Sequence, residues 1–371
     1  MQQGFPAPQR VALLLPLSGG QRPAAEAIRD GFIAAWLADA GNPLRPELLI
    51  LDEQQPGPVE AYRAALDAGA GMVIGPLLKP SVAQVASVAG AVPTLLLNTL
   101  DATPPSARSY QFALAPEDET EAIAERALAL GQGRALVLAP ATAWGRRLLG
   151  AFATALETRG GTVVEQQLYD PAERDYTGLL EQLLRLDASR DRQRRLVANV
   201  GVPLEFEPRR RADADCIVLM ADAASGRLIR PQLRFLYAGD LPTYATSAIH
   251  QLGSPGDLDL DGIMFVDAPV TIEHDPRASA LRAALAASWP PFAAGQLRFH
   301  AMGHDAYALA QELRSGSALL GMPYAGLSGV LSLGEGQRIH RGMAWGLFRE
   351  GAVIPLDEAA AVMPDEDNPA W

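Results

Sequence analysis

The sequence has little of several residue types, and each shortage excludes a class of protein. Cys216 is the one cysteine among 371 residues, so no disulfide forms within the chain, and its apolar neighbours predict an inert buried thiol. Lys79 is the one lysine among 31 basic residues, and the net charge of −12 argues against nucleic acid as the main partner. No apolar run approaches the roughly 20 residues that a membrane-spanning helix needs.

Motifs for catalysis and metal binding are also scarce. The sequence has no Walker loop, no G-x-G-x-x-G after its first strand and no G-x-S-x-G, since Gly326–Val330 (GLSGV) has the wrong spacing. His300 and His304 lie four residues apart beside Asp305, but a metal site would need a third ligand, and we favour packing and capping at the start of a helix. We predict neither an enzyme nor a cofactor or metal.

Alternating apolar and helical segments fill most of the chain. Its length exceeds what one hydrophobic core usually supports, so two domains are expected. Strands predicted at Val11–Leu17, Leu48–Leu51, Met72–Ile74 and Thr94–Leu97 alternate with helices, which is typical of a parallel sheet with right-handed crossovers. The predicted fold is therefore α/β, with two Rossmann-like lobes that have parallel sheets and are joined by a three-segment hinge.

The pattern restarts near residue 115, which predicts a second lobe similar to the first. Lobe 1 is expected to comprise 8–115 and 268–325, lobe 2 to comprise 116–267 and 326–357, and 358–371 to form an acidic mobile tail. The further predicted strands are Tyr110–Leu114, Arg134–Leu138, Val163–Tyr169, Cys216–Met220, Phe235–Tyr237, Ile263–Val266, Gly329–Leu333 and Met343–Phe348.

The stretch Gly71–Ser81 (GMVIGPLLKPS) contains a short buried strand, a Gly-Pro turn and a helix that begins at Pro80. In an open α/β sheet such a junction faces the crevice in which ligands bind. Leu77 and Leu78 stand where a polar ligand would need hydroxyl groups, although backbone N–H groups at the helix start leave room for an anion.

Loops after the other strands supply further candidates. The residues that we expect to line a cleft are Ser18, Gly19, Leu77, Leu78, Lys79, Asn98, Thr99 and Trp144. Turn formation, helix capping and packing at a helix start explain the same residues, and the sequence leaves both interpretations open. Asp52 and Glu53 follow the second strand, where we expect them to face solvent.

The segment 185–211 interrupts the alternation and carries eight arginines against four acidic residues. It is predicted to be either a solvated insertion or a basic face for an acidic partner. The candidate partner-binding residues are Arg194, Arg195, Arg209, Arg210 and Arg211. A third interpretation makes PRRRADAD an internal turn with ion pairs to Asp213 and Asp215.

Several motifs resemble a known fold. The order VALLLPLSG, VIGPL, Trp144-Gly145 and GLSGVLSLGEGQ is similar to the type I periplasmic-binding-protein fold, which includes receptors for amino acids. A closer resemblance is to the C-terminal domain of the LpoA family of penicillin-binding-protein activators. The stretches that carry it are Val11–Gly19, Val73–Ser81, Phe112–Glu119, Pro208–Asp215 and Ala301–Leu309.

This resemblance implies a non-catalytic periplasmic regulator that docks on a class A penicillin-binding protein, a bifunctional peptidoglycan synthase, and stimulates its transpeptidation. Members of that family begin with a lipoprotein signal and a helical repeat domain, and Met1–Gly4 does not resemble a signal peptide. We therefore expect a fragment or mature domain whose outer-membrane lipid anchor lies in a missing N-terminal part. The alternative is a solute-binding receptor for a small polar ligand such as an amino acid or a cell-wall fragment.

Overall fold

The computed structural model describes residues 10–102, 106–202, 205–254, 256–289, 294–315 and 322–356. The strands in these ranges are β1 (Arg10–Leu15), β2 (Glu47–Asp52), β3 (Met72–Ile74), β4 (Thr94–Leu96), β5 (Ser109–Phe112), β6 (Arg134–Pro140), β7 (Thr162–Tyr169), β8 (Cys216–Leu219), β9 (Thr243–Ala245), β10 (Ile263–Asp267), β11 (Tyr324–Ala325), β12 (Val330–Leu333), β13 (Arg338–Gly342), β14 (Ala344–Arg349) and β15 (Ala352–Pro355). The α-helices are α1 (Arg22–Ala38), α2 (Pro58–Asp67), α3 (Lys79–Val88), α4 (Pro116–Ala129), α5 (Ala143–Glu157), α6 (Thr177–Leu183), α7 (Leu186–Val200), α8 (Ala223–Leu233), α9 (Pro269–Ile272), α10 (Pro276–Ser288) and α11 (Leu297–Ser315).

The chain divides after Ala115, Asp267 and Met343 into two compact units. The predicted third crossing at residue 326 is wrong, because β12 and β13 continue the sheet of the first unit and only β14 begins the return to the second. Strand β13 pairs in parallel with β5, through Ile339 and Phe112, and this long-range pairing has no signal in the local sequence. The predicted acidic tail, 358–371, lies outside the described residues.

The sheet of the first unit has the order β11-β12-β13-β5-β4-β3-β1-β2. Its core strands run parallel, while β11, β12 and β13 pair antiparallel at one edge. Side chains along β1 alternate between two buried layers: Leu13 packs with α1 and α11, and Leu14 packs with α2 and α3. Both faces are covered, which explains the uninterrupted apolar run of β1.

Two glycines let α1 and α11 approach each other closely. A Cβ atom on Gly31 would lie 1.9 Å from the His300 carbonyl oxygen, and one on Gly303 would lie 1.9 Å from the Ile28 carbonyl oxygen. The backbones therefore meet without intervening side chains, and Phe32 and Tyr307 pack edge to face beside the crossing.

The sheet of the second unit has the order β15-β14-β10-β9-β8-β6-β7. Strands β6 to β10 pair in parallel, and β14 and β15 add antiparallel at one edge. Cys216 is fully buried on β8, as predicted, and burial raises the pKa of its thiol to about 12. The α/β class and the two mainly parallel sheets are thus confirmed.

One predicted strand of the second unit was wrong. Phe235–Tyr237 is a π-helical turn after α8 and not a strand; its aromatic rings are exposed, and Tyr237 has a φ of +62°. The strand expected near it is β9 instead. In the segment 185–211, for which the sequence pattern predicted no element, residues 186–200 form α7, anchored by the buried Leu186 and Ser189.

Candidate functional site

The loops that follow β1 to β4 meet at one edge of the first sheet. The Ser18 hydroxyl lies 3.4 Å from Gln54 Oε1, and Asn98 Nδ2 donates to the Leu77 carbonyl at 2.9 Å. Glu53, next to Gln54, reaches across to the loop that holds Leu77. The structure therefore brings together the predicted loop residues of the first unit, and an internal carboxylate lies among them.

Glu53 is the centre of this loop cluster. Its carboxylate accepts hydrogen bonds from the N–H groups of Leu77 (2.7 Å) and Leu78 (3.2 Å), directly before α3. The side chain is fully buried, so the expectation that it faces solvent was wrong. Burial raises the pKa of Glu53 above its ordinary value, while the hydrogen bonds from Leu77, Ser81 and Leu78 act in the opposite direction.

This arrangement changes the meaning of the GPLLKP loop. The N–H groups of Leu77 and Leu78, directly before α3, already bind the chain's own carboxylate, so these two donors are not free for an external anion. Leu77 is partly buried and packs against the core of the first unit. The loop is thus held by internal contacts.

The other polar groups of the cluster are also engaged in local contacts. Lys79 Nζ lies 2.6 Å from Asp101 Oδ1 in an exposed ion pair, and the Thr99 N–H donates to Asn98 Oδ1 at 2.9 Å. Gly19 has a φ of +78°, and a Cβ atom there would lie 2.7 Å from a side-chain oxygen of the next loop. Turn formation accounts for the Asn98 and Gly19 contacts, whereas the Lys79–Asp101 contact is a surface ion pair.

Trp144 belongs to the second unit, at the start of α5. The N-cap of this helix is Thr142, whose Oγ1 accepts a hydrogen bond from the Gly145 N–H at 3.1 Å. A Cβ atom on Gly145 would lie 2.1 Å from the Pro140 carbonyl oxygen, so the Trp-Gly pair allows α5 to start directly above β6. Trp144 itself is half-buried.

The two histidines of α11 have structural contacts. His300 is buried with its Nδ1 2.9 Å from the Gln296 carbonyl oxygen, and burial lowers its pKa. Asp305 is fully buried and accepts hydrogen bonds from Leu327 N–H (2.9 Å) and from Ser328 N–H (2.7 Å), which fixes the GLSG loop. Among the described residues no three His, Cys, Asp or Glu side chains are placed to hold a metal ion.

The five candidate arginines of the second unit differ in their surroundings. Arg211 is buried and pairs with Asp213, its Nε 2.7 Å from Oδ1, so this part of PRRRADAD is an internal ion-paired turn and Arg211 is not exposed to a partner. The guanidinium group lowers the pKa of Asp213 to about 2. Asp215 pairs with Arg134 instead, at 2.6 Å.

The remaining candidates lie at the surface. Arg210 pairs with Asp240, and Arg194 pairs with Asp191 one helical turn away. Arg195 and Arg209 are exposed, and neither side chain has an ion pair within the described residues.

Sequence reasoning missed two features. The sequence pattern did not identify the buried role of Glu53, because its hydrogen-bond partners lie 24 and 25 positions away along the chain. Nor did it identify the apolar side of α7, because arginines dominate that segment. Leu196 and Val200 lie four residues apart on this side and remain 52% and 54% exposed.

Two α/β units with parallel central strands, joined by three crossings of the chain, define the class of periplasmic-binding-protein-like folds. The chain belongs to the family described as "LppC putative lipoprotein", whose model matches residues 3–351. It is 29% identical to the penicillin-binding protein activator LpoA of Vibrio cholerae over 345 aligned residues. The alignment covers 91% of this chain and 56% of that protein. The chain thus spans little more than half the length of the curated relatives it matches.

Solved structures show the same architecture. The LpoA C-domain from Haemophilus influenzae, described as a regulator of PBP1A, superposes with a TM-score of 0.71 at 21% identity, covering 93% of this chain and 99% of that one. A "putative branched-chain amino acid ABC transporter" from Chromobacterium violaceum gives a TM-score of 0.69 at 26% identity, covering 91% and 99%. No helix in the described ranges is long and apolar enough to cross a membrane.

Proposed function

We propose that this chain is the regulatory portion of a lipoprotein that binds a class A penicillin-binding protein and raises its transpeptidase activity. The observation that carries the proposal is the family match over residues 3–351, with relatives named as penicillin-binding protein activators. The proposal assigns no chemistry to the chain itself. A docked regulator acts by binding the active state of the synthase more tightly than the resting state.

The proposed location is the periplasm. The family is one of lipoproteins, and the curated relatives are longer than this chain. We propose that the part of the protein beyond this chain carries a lipid anchor in the outer membrane, so that the two units extend toward the synthase. The anchor would hold the regulator near its partner and raise its effective concentration there.

Glu53 supports a regulator over a solute receptor. A receptor for a polar anion needs free donors at the loop after β3, and Glu53 already accepts hydrogen bonds from Leu77 and Leu78 there. Displacing a buried, hydrogen-bonded carboxylate would cost roughly 1–3 kcal/mol or more. An external ligand would have to offset that cost before it gained affinity.

Direct binding tests the proposal. The chain is titrated against a purified class A penicillin-binding protein from the same organism, with a class B enzyme as the matched control, by biolayer interferometry. Saturable binding to the class A enzyme alone is the expected result. Equal binding to both enzymes, or to neither, would contradict the proposal.

The second candidate function, a solute-binding receptor, is favoured by the 26% identity to the transporter-associated protein from Chromobacterium violaceum. A thermal-shift screen with amino acids, short peptides and cell-wall fragments distinguishes the two functions. The regulator proposal predicts no specific rise in Tm with any of these compounds. A large, saturable rise with one of them would favour the receptor.

A further inference from the structure

An open groove lies beside α7 in the second unit. It consists of two adjoining depressions of about 570 and 520 Å³ that share Glu207 and Arg209. One depression is bounded by Leu196 of α7, and the other extends to Tyr237. We call the two together the α7 groove. Its floor is the segment 205–211, part of the stretch that the sequence predicted to be a solvated insertion, a basic face or an internal turn.

Large apolar side chains line the α7 groove and remain exposed. Leu196 is 52% and Tyr237 58% exposed, and Phe206 is half-buried. Covering such groups releases about 25 cal/mol per Å² of apolar surface. Tyrosine and arginine are enriched where protein partners bind tightly. The groove thus combines exposed apolar side chains with a tyrosine and arginines, residue types that protein partners contact.

The charges of the α7 groove are balanced. Four of the eight arginines of the segment 185–211 are held in internal pairs: Arg190 with Glu181, Arg194 with Asp191, Arg210 with Asp240 and Arg211 with Asp213. Within the described residues, Arg192 and Arg209 have no ion pair, and neither have Glu205 and Glu207. Two charges of each sign suit a polypeptide better than a polyanion.

The backbone of the groove floor is also open to a partner. Residues 205–208 lie in no helix or strand, and neither the backbone N–H groups of residues 205–207 nor the C=O groups of 205–208 have a hydrogen-bond partner among the described residues. Unpaired backbone groups along a groove are suited to an extended segment, which adds main-chain hydrogen bonds to the contacts of its side chains.

From these three observations we infer that the α7 groove binds an extended polypeptide segment of the synthase. An apolar side chain of that segment covers Leu196, and charged side chains of both signs pair with Arg192, Arg209 and the two glutamates. The inference rests on the proposed function and adds the surface through which it operates. It replaces the hypothesis of a purely basic docking face, because Arg211 and Arg210 are occupied internally.

A pair of matched variants tests the inference. Leu196 and Leu130 are both in the second unit and are 52% and 55% exposed, but only Leu196 lines the groove. Leu196→Asp should weaken binding of the full chain to the class A enzyme at least about tenfold, because a buried interface side chain is replaced by a charge. Leu130→Asp should leave the Kd within about twofold of the wild type. Circular dichroism verifies that both variants fold.

A charge variant supplies an independent measurement that does not depend on Leu196. Arg192→Glu should weaken binding several-fold, whereas Arg63→Glu, on the exposed side of α2, should not. If the wild-type chain binds and all four variants bind equally well, the groove is not the interface, and the proposed function stands without it. If the wild-type chain binds no class A enzyme, the proposed function itself fails, and the inference fails with it.

Discussion

At the scale of single residues, Glu53 changes the interpretation of the loop after β3. Leu77 and Leu78 suggest a ligand loop with unsuitable side chains as long as the sequence alone is considered. In the structure their N–H groups hold a buried carboxylate of the same chain, so these two donors need no external ligand. The sequence predicted the strand–turn–helix junction. It could not predict Glu53 as its partner, because that contact depends on how β2 and β3 flank β1.

The pH dependence of stability tests the burial of Glu53. Burial raises its folded-state pKa above the ordinary value of 4.5, so its protonation favours the folded state. That contribution is fully present below the unfolded pKa and is lost as the pH rises through the folded pKa. The free energy of unfolding is measured by urea titration at pH 4.5 and pH 7.5 for the wild type and for Glu53→Gln. Between these two pH values the wild type should lose more stability than Glu53→Gln, which has no carboxyl group to titrate at this position. A difference that does not change with pH, or changes in the opposite direction, would contradict this.

Arg211 and Arg209, two residues apart, should respond differently to substitution. Arg211 is buried with bonds to Asp213, so Arg211→Ala should lower the free energy of unfolding by about 1.5–3 kcal/mol. Arg209 is exposed without an ion pair in the described residues, so Arg209→Ala should change it by less than about 0.5 kcal/mol. Denaturant unfolding measures both. Equal losses of stability in the two variants would contradict the conclusion that the buried Arg211–Asp213 pair stabilises the fold.

The low pKa of Asp213 gives a second, independent test of the Arg211–Asp213 ion pair. Its folded-state pKa of about 2 lies below the ordinary 3.8, so its contribution to stability is present above pH 3.8 and is lost as the pH falls toward 2. The Asp213 carboxyl carbon, followed by NMR, should titrate near pH 2 in the wild type. In Arg211→Ala it should titrate closer to pH 3.8. An unchanged midpoint would contradict the assigned pair.

At the scale of elements, the sequence predicted the bounds of most strands to within one or two residues. Strand β3 was predicted with the correct bounds, and β1 and β6 within two residues at each end, because continuous apolar runs between turns leave little alternative. The strand prediction for Phe235–Tyr237 was wrong because aromatic and aliphatic residues favour strands by propensity. In the structure the three residues form a turn after α8, and the rings of Phe235 and Tyr237 are exposed. The helix α7 was missed because its arginines suggested an irregular solvated segment.

The crossing of α1 and α11 provides a test at this scale. Gly303→Ala would place a Cβ atom 1.9 Å from the Ile28 carbonyl oxygen and should lower the free energy of unfolding by about 1–3 kcal/mol. Gly150→Ala on α5 has open space around its Cβ and should raise it by about 0.4–1 kcal/mol. Thermal unfolding of the two variants compares them. A neutral Gly303→Ala would mean that the helices separate more easily than their contacts indicate.

At the scale of the whole molecule, the class of fold was predicted and the division of the chain only in part. Local patterns identified two α/β units, but the return to the second unit lies after Met343, since β12 and β13 extend the first sheet. The relatives that share this architecture include an activator and a transporter-associated protein. The fold alone therefore does not decide between regulation and solute binding. Under our proposals, Glu53 and the α7 groove favour regulation over solute binding.

The proposed regulator needs only modest energetic coupling. A difference of about 1–3 kcal/mol in affinity for the active and resting states of the synthase shifts the equilibrium between these states about 5–150-fold. A surface such as the α7 groove can supply such a difference without any catalytic residue.

The rate of peptide cross-linking tests the central claim most directly. A class A penicillin-binding protein is supplied with its lipid-linked substrate, with and without a saturating concentration of this chain, and the cross-linked fraction of the product is followed over time. The proposed function predicts a rise of about fivefold or more in the transpeptidation rate, retained by Leu130→Asp and shifted to higher concentration by Leu196→Asp. A rate that does not change at saturation would contradict the claim that this chain is an activator.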